Sequence, residues 1–193
     1  MKETEVIKHI VNWLSDYQKK SGKDGFIIGI SGGIDSALTS TLSAKTKLPT
    51  MCIEMPIHQN KEQVKRGRNH IKWLKKNYKN VKDTKSNLTN VFDSFVENLP
   101  NSHKDKNELC LVNVRARLRM ISLYYYAQLH NYLVVGTGNK VEDFGIGFFT
   151  KYGDGGVDIS PIADLMKSEV YDLGKNLEIV DSIMIAKPTD GLW

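Results

Sequence analysis

Residues Phe26 to Ser36 read F-I-I-G-I-S-G-G-I-D-S, and few backbones accommodate that order. Five residues that are apolar or glycine run directly into Ser31-Gly32-Gly33, and Asp35-Ser36 open a segment with helical spacing through Ala37, Leu38, Thr41 and Leu42. The pattern predicts a buried strand, a tight glycine turn and a helix N-terminus.

Such a turn leaves backbone N–H groups without partners at the positive end of a helix dipole, and a phosphate supplies the acceptors and charge they lack. Gly32 and Gly33 allow close approach of an anion, and Ser31 and Ser36 add hydroxyls. Asp35 would be repelled by a bare pyrophosphate, which implies a divalent cation between them. The string is not the G-x-x-x-x-G-K-[ST] loop, because no lysine follows the second glycine. S-G-G-x-D-S resembles instead the ATP pyrophosphatase superfamily, whose members cut ATP between the α and β phosphates and adenylate a substrate.

The rest of the chain reads as alternating strands and helices. Val6, Ile7, Ile10, Val11, Leu14 and Tyr17 predict an N-terminal amphipathic helix ending near Ser21-Gly22, and Thr50 to Met55 a second short strand closed by Pro56. Asn60 and Gln63 have capping-box spacing ahead of a helix whose inner face carries Val64, Gly67, Ile71 and Leu74. Val81 marks a third strand, and Leu88 to Leu99 a further helix. Asn107 to His130 is the longest helical pattern, apolar along one side at Leu109, Val112, Ala116, Leu123 and Ala127 and along another at Leu111, Val114, Leu118, Ile121 and Tyr125. A helix apolar on two faces needs two partners, one of which a second subunit would supply. Within it Arg115 and Arg119 share a face while Arg117 points to the far side with Asn113.

Tyr132 to Val135 predicts a strand ending in Gly136-Thr137-Gly138-Asn139, a second glycine junction, and ligands in open α/β sheets collect beyond the carboxyl ends of strands. The glycine-rich stretch from there to Asp158 holds Phe144, Ile146, Phe148, Phe149 and Tyr152, too apolar for a disordered linker. Lys167 to Leu177 predicts a further short helix. The alternation implies a doubly wound parallel sheet with helices on both faces, Rossmann-like, in a single domain over residues 1–193.

Composition narrows the function classes. The 193 residues are 40% hydrophobic and 25% charged, enough for one stable core. No apolar run approaches the roughly 20 residues of a membrane span and the N-terminus M-K-E-T-E-V lacks a signal-peptide core, so the expectation is a cytoplasmic chain with no membrane partner. Cys52 and Cys110 lie in apolar patterns without ligand spacing and are expected to be buried, reduced thiols. The net charge of +5 suits an anionic ligand, nucleotide or nucleic acid alike. Lys61 to Lys85 is the most basic stretch, read as a solvated helix surface because aromatic interleaving is sparse.

Taken together, G-I-S-G-G-I-D-S, N-V-R-A-R-L-R-M, G-T-G-N-K-V-E, F-F-T-K-Y-G-D-G-G-V-D-I-S-P-I and K-P-T resemble the NAD synthetase family from about Val6 to Trp193. The resemblance implies the adenine nucleotide alpha hydrolase-like fold and ATP- and Mg²⁺-dependent amidation of deamido-NAD through an acyl-adenylate. It assigns ATP to Gly29, Ile30, Ser31, Gly32, Gly33, Ile34, Asp35, Ser36, Thr137, Lys167 and Thr189. Mg²⁺ falls to Asp35 and Glu142, and deamido-NAD to Arg117, Lys151 and Asp158. No nucleophilic side chain is required. It further implies a homodimer, free ammonia as nitrogen donor in place of a Glu-Lys-Cys amidase, and a C-terminal segment beyond Trp193 that family members carry. One residue more than the family pattern separates Glu142 from Phe148. The competing readings are a tRNA-modifying ATP pyrophosphatase and a nucleotide-binding module without catalysis; no nucleic acid partner is expected.

Overall fold

The computed structural model describes residues 2–100 and 108–187. Four strands, β1 (Gly25–Gly29), β2 (Thr50–Glu54), β3 (Val81–Lys85) and β4 (Tyr132–Val134), form one sheet in the order β3-β2-β1-β4, and every pairing is parallel. Phe26 pairs with Thr50 on one side and Leu133 on the other. The chain winds outward from β1 through β2 to β3, then crosses back to lay β4 against the free edge of β1. The strand order therefore reverses between β1 and β4, where open sheets of this kind leave a crevice at their carboxyl ends.

Helices cover both faces, and successive residues of β1 alternate between them. Phe26 and Ile28 face a core built with α1 (Glu3–Ser21), α2 (Ile34–Lys45), α3 (Lys61–Asn77) and α6 (Lys167–Asn176). Ile27 faces the opposite core with α4 (Thr89–Glu97) and α5 (Glu108–His130). Burial on both sides explains why β1 is a continuous apolar run. Edge strand β3 is buried only at Val81 and carries Lys82 and Asp83 outward, charges that discourage pairing with another chain. A last short helix, α7 (Asp181–Met184), follows α6.

Helix α2 differs from an amphipathic reading. Ser36, Thr39, Ser40, Thr41 and Ser43 are all buried along with Ala37, Leu38 and Leu42. Most of these hydroxyls are satisfied inside: Ser40, Thr41 and Ser43 donate back to the carbonyls of Ser36, Ala37 and Thr39 and Ser36 to that of Gly33, while Thr39 Oγ1 finds no partner among the described residues. On α3 the expected inner face holds at Gly67, Ile71 and Leu74, and His70 joins it, fully buried against Ser40 Oγ at 2.9 Å.

Several local expectations need correction. Asn60 caps α3 by accepting from Glu62 N at 2.8 Å, but the Gln63 side chain pairs with Gln59, so the capping box is half formed. Cys110 is exposed, because it lies about 200° around α5 from the buried Val112. Cys52 is buried as expected. Leu109 is 61% exposed, and on the second apolar side of α5 Ile121 and Tyr125 are 67% and 63% exposed while Leu111, Val114 and Leu118 pack on the core.

Candidate active site

The glycine bend is held against α3. Gly32 has φ +86, and a Cβ there would stand 2.3 Å from the Gln63 carbonyl oxygen. Arg66 Nε, also on α3, donates to Gly32 O at 3.3 Å and adds a second tie to the same helix. Within the bend the Ser31 and Ser36 hydroxyls lie 3.0 Å apart and Gly33 N donates to Ser31 Oγ. The N-terminus of α2 receives no side-chain cap. The N–H groups of Ile34, Asp35 and Ser36 therefore keep their hydrogen-bonding capacity for an incoming anion.

Ser31 of the bend borders a cavity of about 510 Å³ at the strand-order reversal, within the usual size range of small-molecule sites. Gly29, Ile30 and Ser31 line it from β1, Val135, Gly136 and Thr137 from the end of β4, and Phe148 and Phe149 from the glycine-rich loop. Arg115 and Arg119 of α5 also line it, neither of which had been assigned a role. Arg119 donates to Met55 O at 3.1 Å and Gln59 Oε1 at 3.0 Å, and burial lowers its guanidinium to about 10, with Arg115 adding to the effect. The shared face of Arg115 and Arg119 was legible in their spacing; its burial was not.

Beside the bend, three predicted residues converge. Lys167 Nζ bonds Asp35 Oδ2 at 2.5 Å and Glu142 Oε1 at 2.9 Å. Burial alone would lower the lysine, but the bonds and charge of the two carboxylates outweigh it and hold the ammonium above its ordinary value. Glu142 lies in the first turn of Val141–Ile146, a π-helical segment, the form a helix takes when it absorbs one residue more. Asn139, part of the second glycine junction but given no role there, is fully buried and donates to Asp35 Oδ1 at 2.8 Å. Burial raises the Asp143 carboxyl, with Asp154, Glu142 and Asp35 adding repulsion.

The donor set fits a hard divalent ion. Two carboxylates already share one cation, and Mg²⁺ commonly takes one or two carboxylates and completes its sphere with substrate phosphate and water. Among the described residues no group of three or more His, Cys, Asp or Glu side chains is placed to hold a metal by itself.

The residues expected to contact a second substrate do not themselves line this cavity, but Asn113, Thr150 and Val157 next to them do. Arg117 Nε donates to Lys151 O at 3.1 Å, which brings those two together. Asp158 is exposed, but its carboxylate already accepts from Tyr124 OH at 2.9 Å and Val134 N at 2.8 Å. Thr189 lies outside the described residues. On α3, Arg68 pairs with Glu54 and Lys75 with Asp83.

A family model described as NAD synthase matches residues 6–193. The chain belongs to the NAD synthase family. It is 39% identical over 191 residues to the NH(3)-dependent NAD(+) synthetase of Carboxydothermus hydrogenoformans, a match covering 98% of this chain and 76% of that one. It is 40% identical to the enzyme of the same name from Mycoplasma genitalium, over 97% of this chain and 73% of the relative. Among solved structures, NMN synthetase from Francisella tularensis superposes with a TM-score of 0.91 at 36% identity, covering 100% of this chain and 78% of that one. NH3-dependent NAD synthetase from Campylobacter jejuni superposes at 0.85 and 31% identity, covering 95% and 77%. The sheet is thus the Rossmann-like sheet of the NAD synthase family's ATP pyrophosphatases, and the tRNA-modifying alternative is not favoured.

Proposed function

We propose that this NAD synthase family chain is a ligase that forms a carbon–nitrogen bond: it spends ATP to convert deamido-NAD and ammonia into NAD, AMP and pyrophosphate. One observation carries the reading. Ser31 of the glycine bend and Thr137 border one cavity at the strand-order reversal, and Lys167 bonds both Asp35, in the first turn of α2 after the bend, and Glu142.

The triphosphate would lie against the N–H groups at the start of α2, with Lys167 beside it and Thr137 toward the adenosine. Asp35 and Glu142 would hold Mg²⁺, which when bound supplies Lewis-acid charge to the phosphates. A nicotinate carboxylate oxygen forms a bond to the α-phosphorus as the bond to the β-phosphate oxygen breaks and pyrophosphate departs. Ammonia then adds to the acyl carbon, a proton is lost, and the bond to the AMP oxygen breaks. Both steps crowd negative charge, so the preset N–H dipoles and the Lys167 ammonium act where charge accumulates. Holding the carboxylate in line with the α-phosphate supplies much of the remaining gain.

Arg117, Lys151 and Asp158 are assigned to deamido-NAD, next to the cavity-lining Asn113, Thr150 and Val157. The exposed Ile121, Tyr125 and Leu129 on that helix favour a homodimer. Relatives named for NH3 favour free ammonia as the donor. No described helix is long and apolar enough to cross a membrane, and cytoplasmic residence belongs to this reading.

A second reading concerns the acceptor. The likeness to an NMN synthetase at TM-score 0.91 favours a mononucleotide carboxylate in place of the dinucleotide. The test is incubation with ATP, Mg²⁺ and ammonia plus either deamido-NAD or nicotinate mononucleotide. NAD, AMP and pyrophosphate in equal amounts from the first are expected. ADP as product would refute the reaction, and faster turnover of the mononucleotide would favour the second reading.

A further inference from the structure

Asn139 stands between the two carboxylates assigned to the divalent ion, and nothing in the family resemblance gives it a role. It is fully buried. Its Nδ2 donates to Asp35 Oδ1 at 2.8 Å, while its Oδ1 accepts from Val141 N at 3.0 Å and Glu142 N at 3.1 Å. The amide orientation follows from its partners: an ionised carboxylate only accepts, so the NH₂ faces Asp35, and backbone N–H groups only donate, so the oxygen faces the turn.

Few other side chains satisfy both ends. Aspartate would set a second carboxylate against Asp35, glutamine is one methylene longer in a fully buried position, and serine reaches the turn without reaching Asp35. Asn139 thus clamps the first turn of α2 to the first turn of the Val141–Ile146 segment, across 104 residues of sequence. It also decides which oxygen of Asp35 meets Lys167. Oδ1 is committed to the amide, leaving Oδ2, the oxygen bonded to Lys167, on the side shared with Glu142. Gly138 permits the close packing this requires, since a Cβ there would meet Asp143 Oδ2 at 2.0 Å.

We propose that Asn139 is a positioning residue for the metal–nucleotide site: its buried amide aims Asp35 Oδ2 and holds Glu142 at the spacing a shared divalent ion needs. The inference rests on reading Asp35 and Glu142 as the ligands of that ion. Removing hydrogen bonds that orient metal ligands commonly weakens metal affinity by about 10–100-fold, and that range sets the expected effect.

The discriminating variant is Asn139→Ser, because serine still caps the backbone N–H groups of the turn while giving up the bond to Asp35. The probe is Mn²⁺ with α,β-methylene-ATP, which cannot be cut at the reacting bond, with free Mn²⁺ read by electron paramagnetic resonance. N139S is expected to bind Mn²⁺ about tenfold more weakly than the unaltered enzyme, with its melting temperature little changed. In turnover, the Mg²⁺ concentration for half activation should rise while KM for deamido-NAD stays put. A fall in melting temperature with Mn²⁺ affinity unchanged would make Asn139 merely structural and overturn the proposal. Asp35→Asn and Glu142→Gln separate the two levels of inference. If both bind Mn²⁺ as the unaltered enzyme does, the ligand assignment falls and the role of Asn139 with it; if both lose Mn²⁺ while N139S keeps it, only the role of Asn139 falls. Should N139S not fold, the unaltered enzyme still decides: bound Mn²⁺ must broaden the Asn139 side-chain NH₂ resonance, and a sharp signal overturns the placement.

Discussion

Replacing Gly32 with alanine tests the link between backbone packing and the phosphate site. At φ +86 an L-residue occupies a region that costs about 1–2 kcal/mol. The added Cβ also meets backbone, with Gln63 O at 2.3 Å and Gly67 N at 3.2 Å, so no side chain can swing aside. The first contact must open to at least 3.0 Å, a retreat of the bend of about 0.7 Å from α3. That displacement reaches the N–H groups at the start of α2, and misplacing catalytic groups by about 1 Å costs on the order of 100-fold. The expected result for Gly32→Ala is a stability loss of roughly 2–4 kcal/mol, seen as a melting temperature lower by about 4–15 °C. A fall of about 10–100-fold in kcat/KM for ATP, measured by pyrophosphate release, should accompany it. Gly67→Ala is the control, because its nearest contacts are Ile30 Cγ2 at 3.3 Å, a side-chain end, and Gly32 N at 3.5 Å. The reasoning is refuted if G32A keeps the parental KM for ATP and rate, or if G67A is equally damaging.

Two further outcomes follow from burial. Burial lowers His70 to about 4 from its ordinary value of 6.5, so the folded chain keeps it neutral where the unfolded chain takes up a proton. Its contribution to stability should hold above pH 6.5 and decline as pH falls toward about 4, by on the order of 3 kcal/mol. Denaturant midpoints for His70→Gln should show a shallower acid decline; an unchanged slope would remove His70 as its source. Burial, with Asp83 adding, pushes the Cys52 thiol up to about 12, whereas Cys110 is exposed. A thiol reagent should label Cys110 in the native protein and Cys52 only after denaturation, as peptide mapping would reveal; native labelling of Cys52 would contradict its burial.

The elements of this protein were largely legible because their signals are local. A strand buried on both faces must be apolar throughout, as Phe26 to Ile28 are. Gly22 ends α1 in the left-handed conformation, and Gly32 marks the bend at the start of α2 because the chain there turns through a positive φ. Spacing along one helix likewise separated Arg117 from Arg115 and Arg119 before any fold was known. Local signals failed where exposure depended on what another element covers. Cys110 sits in an apolar pattern yet faces outward, and the hydroxyls of α2 are buried because α1, α3 and α6 surround it.

By itself, the sequence determined where the four strands and most helices lie, though not the Val141–Ile146 turn or α7, and that the bend at Ser31–Gly33 leaves backbone donors, since φ preferences and side-chain periodicity act over a few residues. Only the tertiary structure decided that Asn139, 104 residues from Asp35, fixes its carboxylate, and that Lys167, 132 residues away, joins it to Glu142. Those contacts are set by the reversal of strand order between β1 and β4, which folds distant loops onto one end of the sheet.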